Sequence, residues 1–209
     1  MHKNSNINNS EEKLNPVPHK YQVSRLTKIL FISFFIIGVG AYFYLIIDRR
    51  ISQRKFMFEN QMGAIRLAPT LAPSISMKDP ASGLDSNLKD HVALGQWVLL
   101  NMWATWCPPC QEEMPSLKLL HQQLGQKIKI IALSVDEDKE ALYEYIKKHE
   151  LDFAVFQDHK QVSPGLLGIN KYPETFLISP QGVLTVQLSG PRNWASAAMT
   201  KYLTSIINP

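Results

Sequence analysis

The stretch that decides the fold is VLLNMWATWCPPCQEEMPSL, residues 98–117, in which an apolar run leads into a pair of cysteines. The run at residues 97–103 is nearly continuous in apolar residues, as is typical of a central strand buried on both faces of a sheet. Downstream of the cysteines, methionine and leucine recur at helical spacing, which predicts a helix over residues 112–125. The cysteines, the only two in the 209-residue chain, therefore lie where a strand gives way to a helix.

The spacing Cys107-Pro108-Pro109-Cys110 is compatible with a zinc site, a structural disulfide or a redox pair. A zinc site normally needs four ligands, yet the chain has no third cysteine and its histidines include no pair at a metal-binding spacing. A structural disulfide across one helical turn closes a very short loop and adds little stability. Redox chemistry is the best interpretation of the pair.

Cys107 is the expected nucleophile. At the start of the helix it meets unpaired N–H groups and the positive end of the helix dipole, which stabilise a thiolate. Pro108 and Pro109 fit the first turn, because the N–H that proline lacks has no helical partner there. Cys110, one turn on and more buried, is the expected resolving cysteine, which breaks the mixed disulfide formed by Cys107.

The rest of the pattern predicts an α/β fold. Further strands are predicted at residues 127–135, 153–158, 174–179 and 183–189, and further helices from Asp136, as N-cap, to Lys148 and at residues 194–207. A short turn containing proline and glycine joins the last two strands and favours a hairpin. Strands alternating with helices, followed by a hairpin and a helix, imply a mixed central sheet with helices on both faces.

A segment of 19 residues without a charge, residues 29–47, precedes this domain. As a helix it would span about 28 Å, roughly the hydrocarbon thickness of a bilayer. A cleaved signal peptide fits less well, because the small residues at 39–41 lie inside the apolar segment. A buried core helix rarely runs this long without a polar face. We therefore predict an uncleaved transmembrane anchor, with Tyr42 and Tyr44 at its interface.

Charge is divided unevenly along the chain. Residues 1–55 carry nine Lys/Arg against three Asp/Glu, whereas residues 56–209 carry thirteen against fifteen. The folded part is thus close to neutral and gives no reason to expect a nucleic-acid partner. Basic residues flank the apolar segment on both sides, so the positive-inside rule does not fix its orientation. The predicted domains are a disordered basic tail (1–28), the anchor (29–47), a connector (48–65) and the α/β domain (66–209).

The opening stretch resembles the active-site region of thioredoxin-fold proteins. It is most similar to the membrane-anchored thiol–disulfide oxidoreductases of the TlpA/ResA/CcmG (DsbE) family. The resemblance continues through IIALSVDEDKEALYEYIKK, residues 130–148, and GINKYPETFLISPQGVL, residues 168–184. It covers roughly residues 66–209 and implies a thioredoxin-like fold.

The resemblance also implies roles for individual residues. Pro173 matches the family's cis-proline, which lies beside the redox pair and helps to dock the extended peptide of the substrate. Glu113 matches a buried acid three positions after the second cysteine, with a raised pKa and the ability to shuttle a proton for that cysteine; a solvated surface glutamate is the alternative. Trp106 and Tyr172 are expected beside the pair as substrate-binding residues, with core packing as the alternative for Trp106.

Three positions qualify the match. Asn101 stands where cytoplasmic thioredoxins have a buried aspartate, which is usual for this branch and moves the acid–base role toward Glu113. Tyr172 is bulkier than the residues common before the cis-proline, and Lys171 replaces a small residue. The last two differences leave the identity of the substrate open.

The function implied by the resemblance is an extracytoplasmic reductant of protein disulfides, with cytochrome c maturation as its context. The implied partners are a client protein with a disulfide, such as apocytochrome c, a membrane thiol-electron donor, and the bilayer. No cofactor is expected beyond the disulfide of Cys107 and Cys110, and no metal. The expected location is the bacterial inner membrane, with a single span and the thioredoxin-like domain facing the periplasm.

Other functions stay open at this level. A disulfide-forming oxidase would use the same fold and the same pair. A thiol peroxidase would need Thr or Ser three residues before its cysteine and an activating arginine. Ala104 holds that position, and the nearest arginines before and after Cys107 are Arg66 and Arg192. A non-catalytic binding or chaperone module would not need an intact pair.

Overall fold

The computed structural model describes residues 24–92 and 95–208. These residues form two compact units that divide between Ile51 and Ser52. The tail predicted at the start of the chain lies outside the described residues as far as residue 23.

The first unit consists of most of a single helix, α1 (Arg25–Gln61). It begins inside the predicted tail and runs through most of the predicted connector, because no proline or glycine interrupts the chain between residues 41 and 61. Gly63, at φ 62°, follows its end in a conformation that glycine adopts without strain. Apart from the half-buried Ile46, the large apolar side chains between residues 26 and 47 are exposed, and α1 is long and apolar enough to cross a membrane.

The second unit contains one mixed sheet. Its strands are β1 (Ala64–Leu71), β2 (Ser76–Lys78), β3 (Asp85–Asn87), β4 (Trp97–Trp103), β5 (Ile128–Ser134), β6 (Ala154–Gln157), β7 (Glu174–Ile178) and β8 (Val183–Ser189). The strand order among the described residues is β1-β8-β7-β4-β5-β6-β2-β3. Strands β4, β5 and β6 are parallel, and β7 and β8 form the predicted antiparallel hairpin.

Helices accompany the sheet. They are α2 (Leu88–Val92), α3 (Pro108–Leu124), α4 (Lys139–His149), α5 (Ser163–Leu167) and α6 (Ala197–Ile207). The predicted mixed α/β sheet is confirmed. The short elements α2, β3 and α5 were not predicted, nor was the strand β1, which begins at the end of the predicted connector.

Strand β4 lies at the centre of the sheet and positions the site. It pairs in parallel with β5 and antiparallel with β7, and its side chains from residue 98 onward are buried. Asn101 is thereby placed between Ala132 on β5 and Thr175 on β7. The strand ends at Trp103, so the cysteine pair lies just beyond the carboxyl end of the buried central strand.

The predicted N-cap of α4 is wrong. The helix begins at Lys139, and its N-cap is Asp138, whose carboxylate accepts the Ala141 backbone N–H at 3.0 Å. Asp136 is buried and its carboxylate binds the Thr105 backbone and hydroxyl instead. Both aspartates stand at positions that a capping pattern favours, but the Asp136 carboxylate is engaged by Thr105 and Ser134.

Candidate active site

The cysteine pair opens helix α3. Cys107 is the N-cap residue, and Pro108 and Pro109 occupy the first turn. A disulfide joins Cys107 to Cys110. The side chain of Cys107 is 6% exposed and that of Cys110 is fully buried, so Cys107 is the sulfur that a partner can reach. The helix N-terminus favours a thiolate at this position once the disulfide is reduced.

The turn that precedes Cys107 is anchored by Asp136. The Asp136 carboxylate accepts the backbone N–H of Thr105 at 2.9 Å and its hydroxyl at 2.6 Å. The hydroxyl of Ser134, at the end of β5, donates to the same carboxylate. These contacts join the carboxyl ends of two neighbouring parallel strands, and they fix the backbone two residues before the nucleophile.

Glu113 lies one turn after Cys110 on α3 and is 2% exposed. Its Oε1 accepts the Asn101 side-chain N–H at 2.8 Å. Its Oε2 accepts the Trp194 indole N–H at 3.0 Å and the Arg192 backbone N–H at 3.2 Å. The alternative of a solvated surface glutamate is therefore excluded by the structure.

The proton affinity of Glu113 is unusual for a carboxyl group. Burial raises the pKa of Glu113 to about 7, and the hydrogen bonds from Asn101, Trp194 and Arg192 offset part of that rise. A group with this pKa exchanges protons readily near neutral pH. Its place on the same helix as Cys110, three residues on, suits it to take up the proton of that thiol.

Trp106 precedes Cys107 in sequence and meets Tyr172, which is half-buried, while the neighbouring Pro173 is buried. The peptide bond between Tyr172 and Pro173 is cis, as the resemblance implied. Trp106 is 62% exposed, which excludes the core-packing alternative. Its ring meets that of Tyr172 edge to face at 6.1 Å between centroids. Both aromatic residues line an open cavity of about 550 Å³ that also reaches Asp136.

Sequence reasoning missed two parts of this site. The carboxylate of Asp136 was assigned to the wrong element, and Trp194 was assigned to the last helix, which begins only at Ala197. Trp194 is fully buried and contacts Glu113 across 81 positions in sequence. No local sequence pattern predicts such a contact. Among the described residues, no group of three or more His, Cys, Asp or Glu is placed to hold a metal ion.

Comparison with known proteins places this site in a family. The AhpC/TSA family matches residues 70–187. The thiol-disulfide oxidoreductase ResA of Bacillus thuringiensis (strain Al Hakam) is 36% identical over 57% of this chain and 68% of its own. The thioredoxin-like protein YneN of Bacillus subtilis (strain 168) is 33% identical over 54% of this chain and 66% of its own. The chain thus spans about two thirds of the length of these relatives.

Solved structures support the fold. A putative thiol:disulfide interchange protein DsbE from Chlorobium tepidum superposes with a TM-score of 0.60 at 23% identity, over 68% of this chain and 99% of its own. StoA from Bacillus subtilis superposes with a TM-score of 0.53 at 22% identity, over 66% and 99% of the two chains. At these identities the likeness establishes the thioredoxin-like fold alone.

Proposed function

Because this chain belongs to the AhpC/TSA family and is a thiol–disulfide oxidoreductase of the ResA type, we propose that it reduces disulfides of client proteins outside the cytoplasm. The observation that carries the proposal is the arrangement on α3, where a reachable Cys107 at the helix N-terminus precedes a buried Cys110 and a buried Glu113. This arrangement separates the attacking sulfur from the resolving sulfur and supplies the latter with a proton acceptor.

The reaction proceeds in two exchanges. The Cys107 thiolate attacks one sulfur of the client disulfide; the client S–S bond breaks, and the departing client thiolate takes up a proton. Glu113 then accepts the proton of Cys110, whose thiolate attacks the Cys107 sulfur and releases the second client thiolate. Two electrons pass from the dithiol of the protein to the client, and the Cys107–Cys110 disulfide remains. The pair itself is the redox centre, and we propose no further cofactor and no metal.

Trp106, Tyr172 and Pro173 are the proposed docking residues for the client. The exposed Trp106, next to Cys107 in sequence, and the half-buried Tyr172 offer aromatic surface to a client, and the cis-proline precedes strand β7. The family resemblance supports an apocytochrome c with a reducible cysteine pair as the client, and a thiol carrier in the membrane as the source of electrons that restores the dithiol.

The direction of the reaction is tested by the reduction potential. With the full chain in detergent and defined redox buffers, we expect thiol trapping to give a potential near the −270 mV of thioredoxin rather than the −120 mV of DsbA. The same chain in excess dithiothreitol, with both thiols trapped, supplies the fully reduced reference. A potential near −120 mV would overturn the proposal that the protein is a reductant, and would favour the second candidate, a disulfide-forming oxidase.

A thiol peroxidase is disfavoured by the surroundings of the two arginines considered from the sequence. Arg66 is paired with Glu59. The Arg192 guanidinium donates to the backbone oxygens of Met62 at 2.9 Å and Ser189 at 2.7 Å. Both guanidinium groups are thus engaged by other partners, and Ala104 provides no hydroxyl three residues before Cys107.

We further propose that α1 anchors the protein in the bacterial inner membrane with its second unit on the periplasmic side. The exposed apolar surface between residues 26 and 47 supports the anchor. A reporter fused after Pro209 tests the sidedness: alkaline phosphatase is expected to be active and a cytoplasmic fluorescent protein dark. The reverse pattern would place the domain in the cytoplasm and contradict the proposal.

A further inference from the structure

Trp194, in the segment between strand β8 and helix α6, is hydrogen-bonded to helix α3 through both its side chain and its backbone. The Trp194 indole N–H donates to Glu113 Oε2 at 3.0 Å. The Trp194 backbone N–H donates to the Ser116 hydroxyl oxygen at 3.0 Å, and that hydroxyl lies 2.8 Å from the Glu113 carbonyl oxygen and 3.2 Å from that of Arg192. Trp194 is therefore held against the helix turn that carries Glu113.

All three hydrogen bonds to the Glu113 carboxyl group come from N–H donors: the Asn101 amide, the Arg192 backbone and the Trp194 indole. Such donors favour the carboxylate, since a protonated carboxyl would direct its own hydrogen toward them. The Asn101 amide can adapt, because its oxygen is buried without a hydrogen-bond partner and can turn toward a proton on Glu113. The indole has no acceptor atom and cannot adapt.

We propose that Trp194 is a positioning residue that holds Oε2 of Glu113 and keeps this carboxyl group in its ionised form when the buried cysteine must lose its proton. The inference rests on the proposed function for the use that the reaction makes of Glu113. The contact itself depends only on the geometry of Trp194 and Glu113. Trp194 thereby extends the site beyond the cysteine helix to a segment about eighty residues away in sequence.

A change in the titration of Glu113 can be attributed to the Trp194 contact only if the other groups around Glu113 stay the same. Helix α3 carries Cys110 one turn before Glu113. Strand β4 contributes the uncharged Asn101, and the segment after β8 contributes the positive charge of Arg192, which favours the carboxylate. The Arg192 guanidinium lies 5.4 Å from the centre of the Trp194 ring. Replacing the indole by another ring leaves all of these charges in place, so a change in the titration of Glu113 reports the lost N–H.

The test uses the full chain in detergent and compares Trp194→Phe with Trp103→Phe. Trp103 is also fully buried, but its indole N–H has no hydrogen-bond partner, so the control removes a similar ring and no contact to Glu113. Infrared difference spectra against Glu113→Gln follow the carboxyl band of Glu113 with pH. We expect the midpoint in Trp194→Phe to move upward by about one pH unit, as befits a hydrogen bond to a charged group, and to stay in place in Trp103→Phe.

The same variants are followed in thiol exchange with Ellman's reagent, where the reduced protein releases chromophore in two phases. The first phase reports attack by Cys107 and the second reports attack by Cys110. Below its pH midpoint the second phase is expected to slow about tenfold in Trp194→Phe, since a shift of one unit lowers the carboxylate fraction tenfold, while the first phase is unchanged. If Trp194→Phe does not fold, the same measurements are made with a tryptophan analogue at position 194 in which benzothiophene replaces indole. This analogue keeps the shape of the side chain but lacks the N–H.

The outcomes distinguish a failure of the Trp194 role from a failure of the role proposed for Glu113 in the reaction. An unmoved infrared midpoint, or an equal shift in Trp103→Phe, overturns the role of Trp194. A shifted midpoint with an unchanged second phase supports the contact between Trp194 and Glu113, and instead removes Glu113 from the proposed reaction.

Discussion

Replacing Cys107 by serine is expected to reduce disulfide exchange to the uncatalysed background. Cys107 is the reachable sulfur of the pair and stands at the N-terminus of α3, where a thiolate is stabilised and a serine hydroxyl stays protonated. Loss of a covalent nucleophile lowers turnover by many powers of ten in other enzymes, and on the order of a thousandfold or more is expected here. The measurement is the rate at which the chain, with dithiothreitol as electron source, reduces a protein disulfide.

Cys110→Ser is the matched variant, since it also lacks turnover but leaves the nucleophile in place. It is expected to accumulate a mixed disulfide between Cys107 and the client, visible as a reducible adduct on a gel and identifiable by mass. Cys107→Ser should form none. If Cys110→Ser formed no adduct and Cys107→Ser did, the assignment of attacking and resolving sulfur would be reversed. The trapped client also tests whether an apocytochrome c is the partner.

The part of the fold that the sequence predicted well is the part determined by local pattern. Strand β4 was predicted with its observed bounds, residues 97–103, because a nearly continuous apolar run followed by a helix leaves little other choice. Helix α3 begins at the cysteine pair as expected, and the hairpin of β7 and β8 follows from its turn. Elements of three to five residues, such as β3 and α5, are too short to show a period.

The contacts that complete the site depend on residues far apart in the chain. Asp136 reaches Thr105 over 31 positions and Trp194 reaches Glu113 over 81. In each case the local sequence favours a different role, an N-cap for Asp136 and an amphipathic helix for Trp194. Burial in the assembled fold overrides that preference, because a buried carboxylate must find hydrogen-bond donors wherever the topology brings them.

Glu113→Gln is expected to change both the stability of the protein and its reaction, in opposite directions. Burial raises the pKa of Glu113 from 4.5 to about 7 in the folded protein, so the folded state binds this proton more tightly than the unfolded state. The contribution of Glu113 to stability is therefore full below about pH 4.5 and is lost as pH rises to about 7, a loss of about 3 kcal/mol. Glutamine does not ionise, and the variant should lack this decline. Urea unfolding of the two proteins from pH 4 to 8 measures the difference.

The same substitution removes the proton acceptor of Cys110. The second phase of thiol exchange is expected to slow by about a hundredfold or more at neutral pH, within the range that general bases contribute, while attack by Cys107 keeps its rate.

Glu112→Gln is the matched control, because Glu112 is the exposed neighbour on the same helix and its loss removes an equal charge without touching the buried network. If Glu112→Gln and Glu113→Gln altered the second phase and the pH dependence of unfolding alike, the effect would be one of net charge. The buried carboxyl would then have no special part in the exchange. A slower reaction in the more stable variant would instead mean that the fold keeps a destabilising buried carboxylate at neutral pH because the resolving cysteine needs it.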